Sequence, residues 1–136
     1  MKFEDKKLLL KDICSRLPYG VKCSFGIDDA IYEICGVNPT CCGASEIQAT
    51  HIKSGINGDF SLSSCKLYLF PLSSMTEEQK NEFDQLIELE LKAINDEIDS
   101  TQPIAFEIDF YNKHHLDWRG LIPMGLAIDA TNLNIY

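Results

Sequence analysis

The chain is short of basic residues. Its 136 residues include 12 Lys and Arg against 21 Asp and Glu, a net charge of −9, and affinity for nucleic-acid phosphates comes from clustered cations. Direct nucleic-acid binding is therefore not expected. Long apolar runs are missing as well. Leu8, Leu9 and Leu10 form the longest apolar cluster near the start and follow Glu4, Asp5, Lys6 and Lys7, which matches neither a signal-peptide core nor a membrane span of about 20 apolar residues. The expectation is a cytoplasmic protein with no membrane association.

Zinc-type spacing is absent too. Cys35, Cys41 and Cys42 lie close together, and Cys65 or His51 could join them, but structural zinc sites present paired ligands two to four residues apart on tight turns. Adjacent Cys41 and Cys42 point in different directions in an extended backbone, so no metal and no other cofactor is expected. In an unexported chain the six cysteines read as reduced thiols, with Cys14, Cys23, Cys35 and Cys65 acting as small buried apolar residues. A cysteine nucleophile would need a neighbouring imidazole, and His51, His114 and His115 are the only histidines. No motif surrounds any cysteine, so no catalytic residue is assigned. No Gly-rich loop precedes a Lys-Ser or Lys-Thr, which removes a phosphate cradle. Internal repeats, low-complexity stretches and linkers are also lacking, and residues 1–136 read as one domain.

What is present is an ordinary globular balance, 45% hydrophobic and 24% charged, enough to bury a single core. Leu9, Leu10, Ile13, Cys14 and Leu17 recur at helical spacing, so residues 5–17 are predicted helical, with Lys6, Lys7, Lys11 and Arg16 toward water, until Pro18 and Gly20 stop the helix. Val21, Cys23 and Phe25 then alternate with polar residues, and residues 21–25 and 31–37 are predicted to form a hairpin. Residues 47–52 give a third strand and 55–58 a loop. Residues 64–70 give a strand covered on both sides, central or roofed by a helix.

Thr76 and Gln79 form a capping box ahead of Glu77, Glu78 and the apolar series Phe83, Ile87, Leu91, Ile94 and Ile98, which predicts a long acidic helix over 76–99 whose apolar face lies on the sheet. Residues 103–115 fit a strand or a helix; Pro103 at a first helical position decides for the helix. The rest reads as an irregular tail. The predicted fold class is α+β: a small antiparallel sheet of about four strands, possible as a partly closed barrel, with an N-terminal helix, the long acidic helix and a C-terminal helix.

Three stretches carry a resemblance: Leu17-Pro18-Tyr19-Gly20-Val21, Tyr68-Leu69-Phe70-Pro71-Leu72-Ser73-Ser74-Met75-Thr76-Glu77-Glu78, and His114-His115-Leu116-Asp117-Trp118-Arg119-Gly120-Leu121-Ile122. Together they resemble a family of uncharacterised small proteins encoded by gut Bacteroidales and their phages and prophages. The resemblance implies a cytoplasmic protein of phage or mobile-element origin, and a shared ligand, if the family has one, near these stretches. It carries no activity or functional residue.

One cluster has the composition of a site. His114, His115, Asp117, Trp118 and Arg119 bring two imidazoles, an acid, a guanidinium and the only tryptophan together, a mixture found at binding hot spots and acid/base centres. The plain structural reading stands beside it: Asp117 caps a turn, Trp118 fills the core and Arg119 pairs with the acidic helix. The function expected is a non-enzymatic accessory protein that binds a host or phage macromolecule, a protein partner, through its acidic surface. Alternatives are a nucleotide- or anion-binding protein or enzyme with a pocket near His114–Arg119, and a structural component of a phage particle.

Overall fold

Alternation sets the sheet. Val21, Cys23 and Phe25 point to one side and are buried, with Lys22 and Ser24 opposite, as the two-residue period of an extended chain requires. The computed structural model describes residues 1–38, 46–94 and 102–136. Its strands are β1 (Lys22–Ser24), β2 (Tyr32–Val37), β3 (Ile47–His51), β4 (Asn57–Phe60), β5 (Lys66–Leu69) and β6 (Ala127–Asp129), and its helices are α1 (Phe3–Arg16), α2 (Glu77–Ile94) and α3 (Gln102–Lys113). They form one mixed sheet in the order β4-β3-β2-β1-β5-β6. Every pairing is antiparallel except β5 with β6, where Leu67, Tyr68 and Leu69 run beside Ala127, Ile128 and Asp129.

The sheet is therefore open and six-stranded rather than a barrel of about four strands. The two additional strands lie at its edges. Asn57 and Gly58, predicted as the end of a loop, and Asp59 have little intrinsic strand preference, and the segment is a strand because it pairs with β3 while Phe60 stacks on Phe25 at 4.0 Å. Strand β6 comes from the predicted irregular tail and is held by β5. The 103–115 segment is helical, as Pro103 suggested.

Leu9 and Ile13 of α1 form a continuous core with Val21, Cys23, Phe25, Ile34, Ile47, Ala49, Leu67 and Leu69. Each of the larger side chains contributes about 1.5–3 kcal/mol by burial. The opposite face carries Glu33, Gln48, Asp59 and Lys66, all exposed, so β5, an interior strand between β1 and β6, is not covered on both sides as expected. Cys35 sits at a bulge between Ile34 and Gly36 and is exposed. Cys14 is exposed as well, while Cys23 and Cys65 are buried as expected. Cys41, Cys42, Ile98 and the end of the predicted long helix lie outside the described residues.

Two further expectations are corrected. Phe83 of α2 packs on Phe110 and Tyr111 of α3 at 5.1 and 5.7 Å, so α2 rests on its neighbouring helix rather than on the sheet, and Leu91 is 56% exposed. Arg16 does not face water: it is fully buried, because Asp12 one turn earlier is buried with it and neutralises it at 2.7 Å.

Candidate functional site

The predicted cluster begins where α3 ends. His115 has φ 56°, the left-handed conformation that closes a helix, and turns the chain so that Leu116 bridges Phe70 in parallel. The Phe70 N–H donates to the His115 carbonyl at 2.9 Å, and the Asp117 N–H donates to the Phe70 carbonyl at 2.8 Å. The Asp117 carboxylate then accepts from the N–H groups of Leu121 and Ile122 at 2.7 and 2.9 Å, which fixes the next turn.

The remaining members are also engaged. Trp118 is half-buried rather than a core residue; its indole N–H donates to Asn112 at 2.9 Å. Arg119 lies over the Trp118 ring at 3.9 Å and reaches Asp12 of α1, not the acidic helix, at 3.1 Å. Asp12 thus holds two guanidinium groups, those of Arg16 and Arg119. Arg16 in turn donates through Nη2 to the Leu116 carbonyl at 2.7 Å. His114 packs on Phe110 at 4.6 Å, with Nδ1 3.4 Å from Gln79 Nε2 and Nε2 3.4 Å from Glu82. His115 stacks on Tyr136 at 3.6 Å with 11° between the rings. Burial first, then the charges of Arg16, Lys22 and His114, lower its pKa to about 4, so it is neutral at pH 7. The five residues do come together, as a clasp joining α1, α3 and the end of β5.

A cleft of about 410 Å³ lies against this clasp. Its floor is Phe70, Leu116, Ala130, Ile135 and Tyr136; its rim is Ser74, Thr76, Gln79, Thr131, Asn132 and Asn134. One wall is built by the predicted capping box, in which the Thr76 N–H donates to Gln79 Oε1 at 3.0 Å and the Gln79 N–H donates to Thr76 Oγ1 at 3.1 Å. The other wall is the chain after β6. There Asp129 accepts from the Thr131 N–H and hydroxyl, at 2.9 and 2.5 Å, and its carboxyl is held below its ordinary pKa by those bonds. Asn132 and Asn134 follow at φ 143° and 51°, a region that side chains rarely occupy. Neither carboxamide has a partner among the described residues.

Tyr136 closes the floor. Its hydroxyl accepts from the Lys22 N–H at 3.0 Å and donates to the Tyr68 carbonyl at 2.8 Å, taking the place of a ladder bond where β1 and β5 part. Burial raises its pKa. The Lys22 ammonium donates to the Ile135 carbonyl at 2.7 Å. None of the five predicted residues lines the cleft; Leu116, which lies between them in the chain, does. Asn132 and Asn134 were not singled out from sequence, and their only signal was a polar run after short apolar pieces.

Elsewhere, a cavity of about 320 Å³ lies by Asp28, Asp29 and His51. Cys23 and Cys65 are in mutual contact, and that hydrogen bond together with burial pushes the Cys23 thiol well above its ordinary pKa. Among the described residues no group of three or more His, Cys, Asp or Glu is arranged to hold a metal ion, and no helix is long and apolar enough to cross a membrane. Comparison with family models, with curated proteins and with solved structures finds no match to the chain.

Proposed function

We propose that the protein is a non-catalytic ligand-binding protein whose site is the 410 Å³ cleft. The observation that carries this is its position. Strands β5 and β6 run parallel, the chain between them crosses through α2 and α3, and the cleft opens beyond the carboxyl ends of both strands, beside the first turn of α2. In open sheets that is where the crossover leaves a crevice and where ligands collect. The stretches Tyr68 to Glu78 and His114 to Ile122, which carry the resemblance to Bacteroidales and phage proteins, meet at the same place. The reading is non-catalytic because Tyr136 is the one ionisable side chain on the lining, and its hydroxyl is occupied and held protonated. The test is a titration of isotope-labelled protein with a panel of disaccharides, nucleosides, capped dipeptides and orthophosphate, followed by amide shifts. Saturable shifts at Thr76, Gln79, Thr131, Asn132 and Asn134 are expected. Shifts confined to other surfaces would overturn the assignment.

A second reading, an accessory protein of phage or mobile-element type that docks on a protein through its acidic surface, is favoured by α2. Exposed Glu77, Glu78, Asp84 and Glu88 stand on the same helix as Leu89 and Leu91, which are 61% and 56% exposed, and apolar side chains amid charge suit a partner surface. Pull-down from host lysate tests it, and failure to retain any protein in native and crosslinked lysate would count against it.

A further inference from the structure

We infer that the ligand of the cleft is an uncharged saccharide, an inference that rests on reading the cleft as a ligand site. Among the described residues, the lining contains no Lys, Arg, Asp or Glu. Glu77 and Glu78 are exposed directly after Thr76 and Asp129 is bonded to Thr131 on the opposite wall, so a phosphate or carboxylate entering there meets repulsion, while Lys22, the cation bonded to the floor, is engaged on the Ile135 carbonyl at 2.7 Å. The free hydrogen-bonding groups are the Asn132 and Asn134 carboxamides. Each offers donors and an acceptor side by side, the pattern that neighbouring hydroxyls of a sugar complete, since every hydroxyl both donates and accepts.

The floor adds shape. Tyr136 is 41% exposed; His115 stacks on its ring at 3.6 Å and the Lys22 ammonium lies 5.2 Å from the ring centroid. Phe70 stands 5.8 Å from Tyr136 with 51° between the rings, which makes an angled apolar platform and not a parallel slot for a planar base. A pyranose presents a C–H face to such a platform while its hydroxyls point to the rim. The volume of about 410 Å³ lies within the range of small-molecule sites and suits one or two rings.

The experiment titrates the full chain with cellobiose, maltose and N,N′-diacetylchitobiose, and in parallel with uridine and orthophosphate, observing backbone and Asn side-chain amides. At least one disaccharide should saturate shifts at both Asn carboxamides. The paired variant Asn132→Gly/Asn134→Gly keeps the positive-φ backbone, removes both amides, and should weaken that binding about tenfold or more. Its amide spectrum away from the cleft reports that it is folded. Uridine or phosphate saturating the cleft while all three sugars stay silent would overturn the saccharide and leave the ligand site standing. Silence of the cleft toward the entire set would overturn both. Sugar binding unchanged in the paired variant would overturn the role of the carboxamides and with it the inference.

Discussion

Replacing Asp12 with Asn puts the buried clasp to a quantitative test. Asp12 and Arg16 are both 0% exposed and 2.7 Å apart, and Arg119, itself only 15% exposed, holds the other carboxylate oxygen at 3.1 Å. Neutralising Asp12 leaves the Arg16 guanidinium inside the protein with only neutral acceptors, the Leu116 carbonyl and the carboxamide oxygen of the introduced Asn. Breaking a buried pair on one side costs about 3–5 kcal/mol, because a charge stays behind without its counterion. That is a large part of the about 5–15 kcal/mol by which a domain is stable, and for a chain of this length corresponds to a fall of roughly 10–20 °C in Tm. Urea unfolding at pH 7 followed by circular dichroism measures it, with the slope unchanged. Removing both charges in Asp12→Leu/Arg16→Met should restore most of the loss, since no ion is then stranded. Arg119→Met should cost about 1 kcal/mol, because Asp12 keeps its fully buried partner. A loss below about 1 kcal/mol in Asp12→Asn, or a double variant worse than the single one, would refute the reasoning.

Three further outcomes are expected. His115 is a base whose pKa is lower folded, about 4, than unfolded, so the unfolded chain takes the proton first and stability falls as pH drops from about 6.5 toward 4; the loss between pH 7 and 5 is about 2 kcal/mol. His115→Asn, which tolerates the positive φ, should flatten that slope in urea midpoints taken at both pH values. Tyr136→Phe removes the hydroxyl bridging the Lys22 N–H and the Tyr68 carbonyl and should cost about 1 kcal/mol, with faster amide exchange at Lys22. Thr76→Ala opens the capping box and should lower the unfolding free energy by about 1 kcal/mol, read by chemical denaturation.

The parts of the fold legible in the sequence are those set by neighbours along the chain. The existence of α1 with Leu9 and Ile13 inward, the Val21-Cys23-Phe25 alternation and the reciprocal bonds of Thr76 and Gln79 need nothing distant and stand as read, although Cys14, placed on the same α1 stripe, is exposed. Strands β4 and β6 are different. Asn57 to Phe60 and Ala127 to Asp129 have little strand character of their own and are strands because β3 and β5 offer them unsatisfied ladder edges. Arg16 misled for the same reason. Its helical position is that of buried Leu9, two turns earlier, and opposite that of Lys7; its charge suggested exposure to water, and only the carbonyl of Leu116, far along the chain, with Asp12 one turn before it, makes its burial tolerable.

The 114–119 cluster shows how composition and role come apart. Its residues were noticed because they could do chemistry, yet Asp117 is satisfied by two N–H groups, Arg119 by Asp12 and the Trp118 ring, and the two imidazoles pack on Phe110 and Tyr136. Their work is to hold the cleft. His115 lies flat beneath Tyr136, Arg16 fixes the carbonyl of Leu116, and both Tyr136 and Leu116 are floor. A buried charge network is costly to assemble, and His115 Nδ1, buried with no hydrogen-bond partner among the described residues, adds to that cost. A floor tied from beneath at Tyr136 and Leu116, under two carboxamides on positive-φ backbone, is the arrangement on which the proposed small-molecule site rests, because groups already held in place need not be ordered on binding.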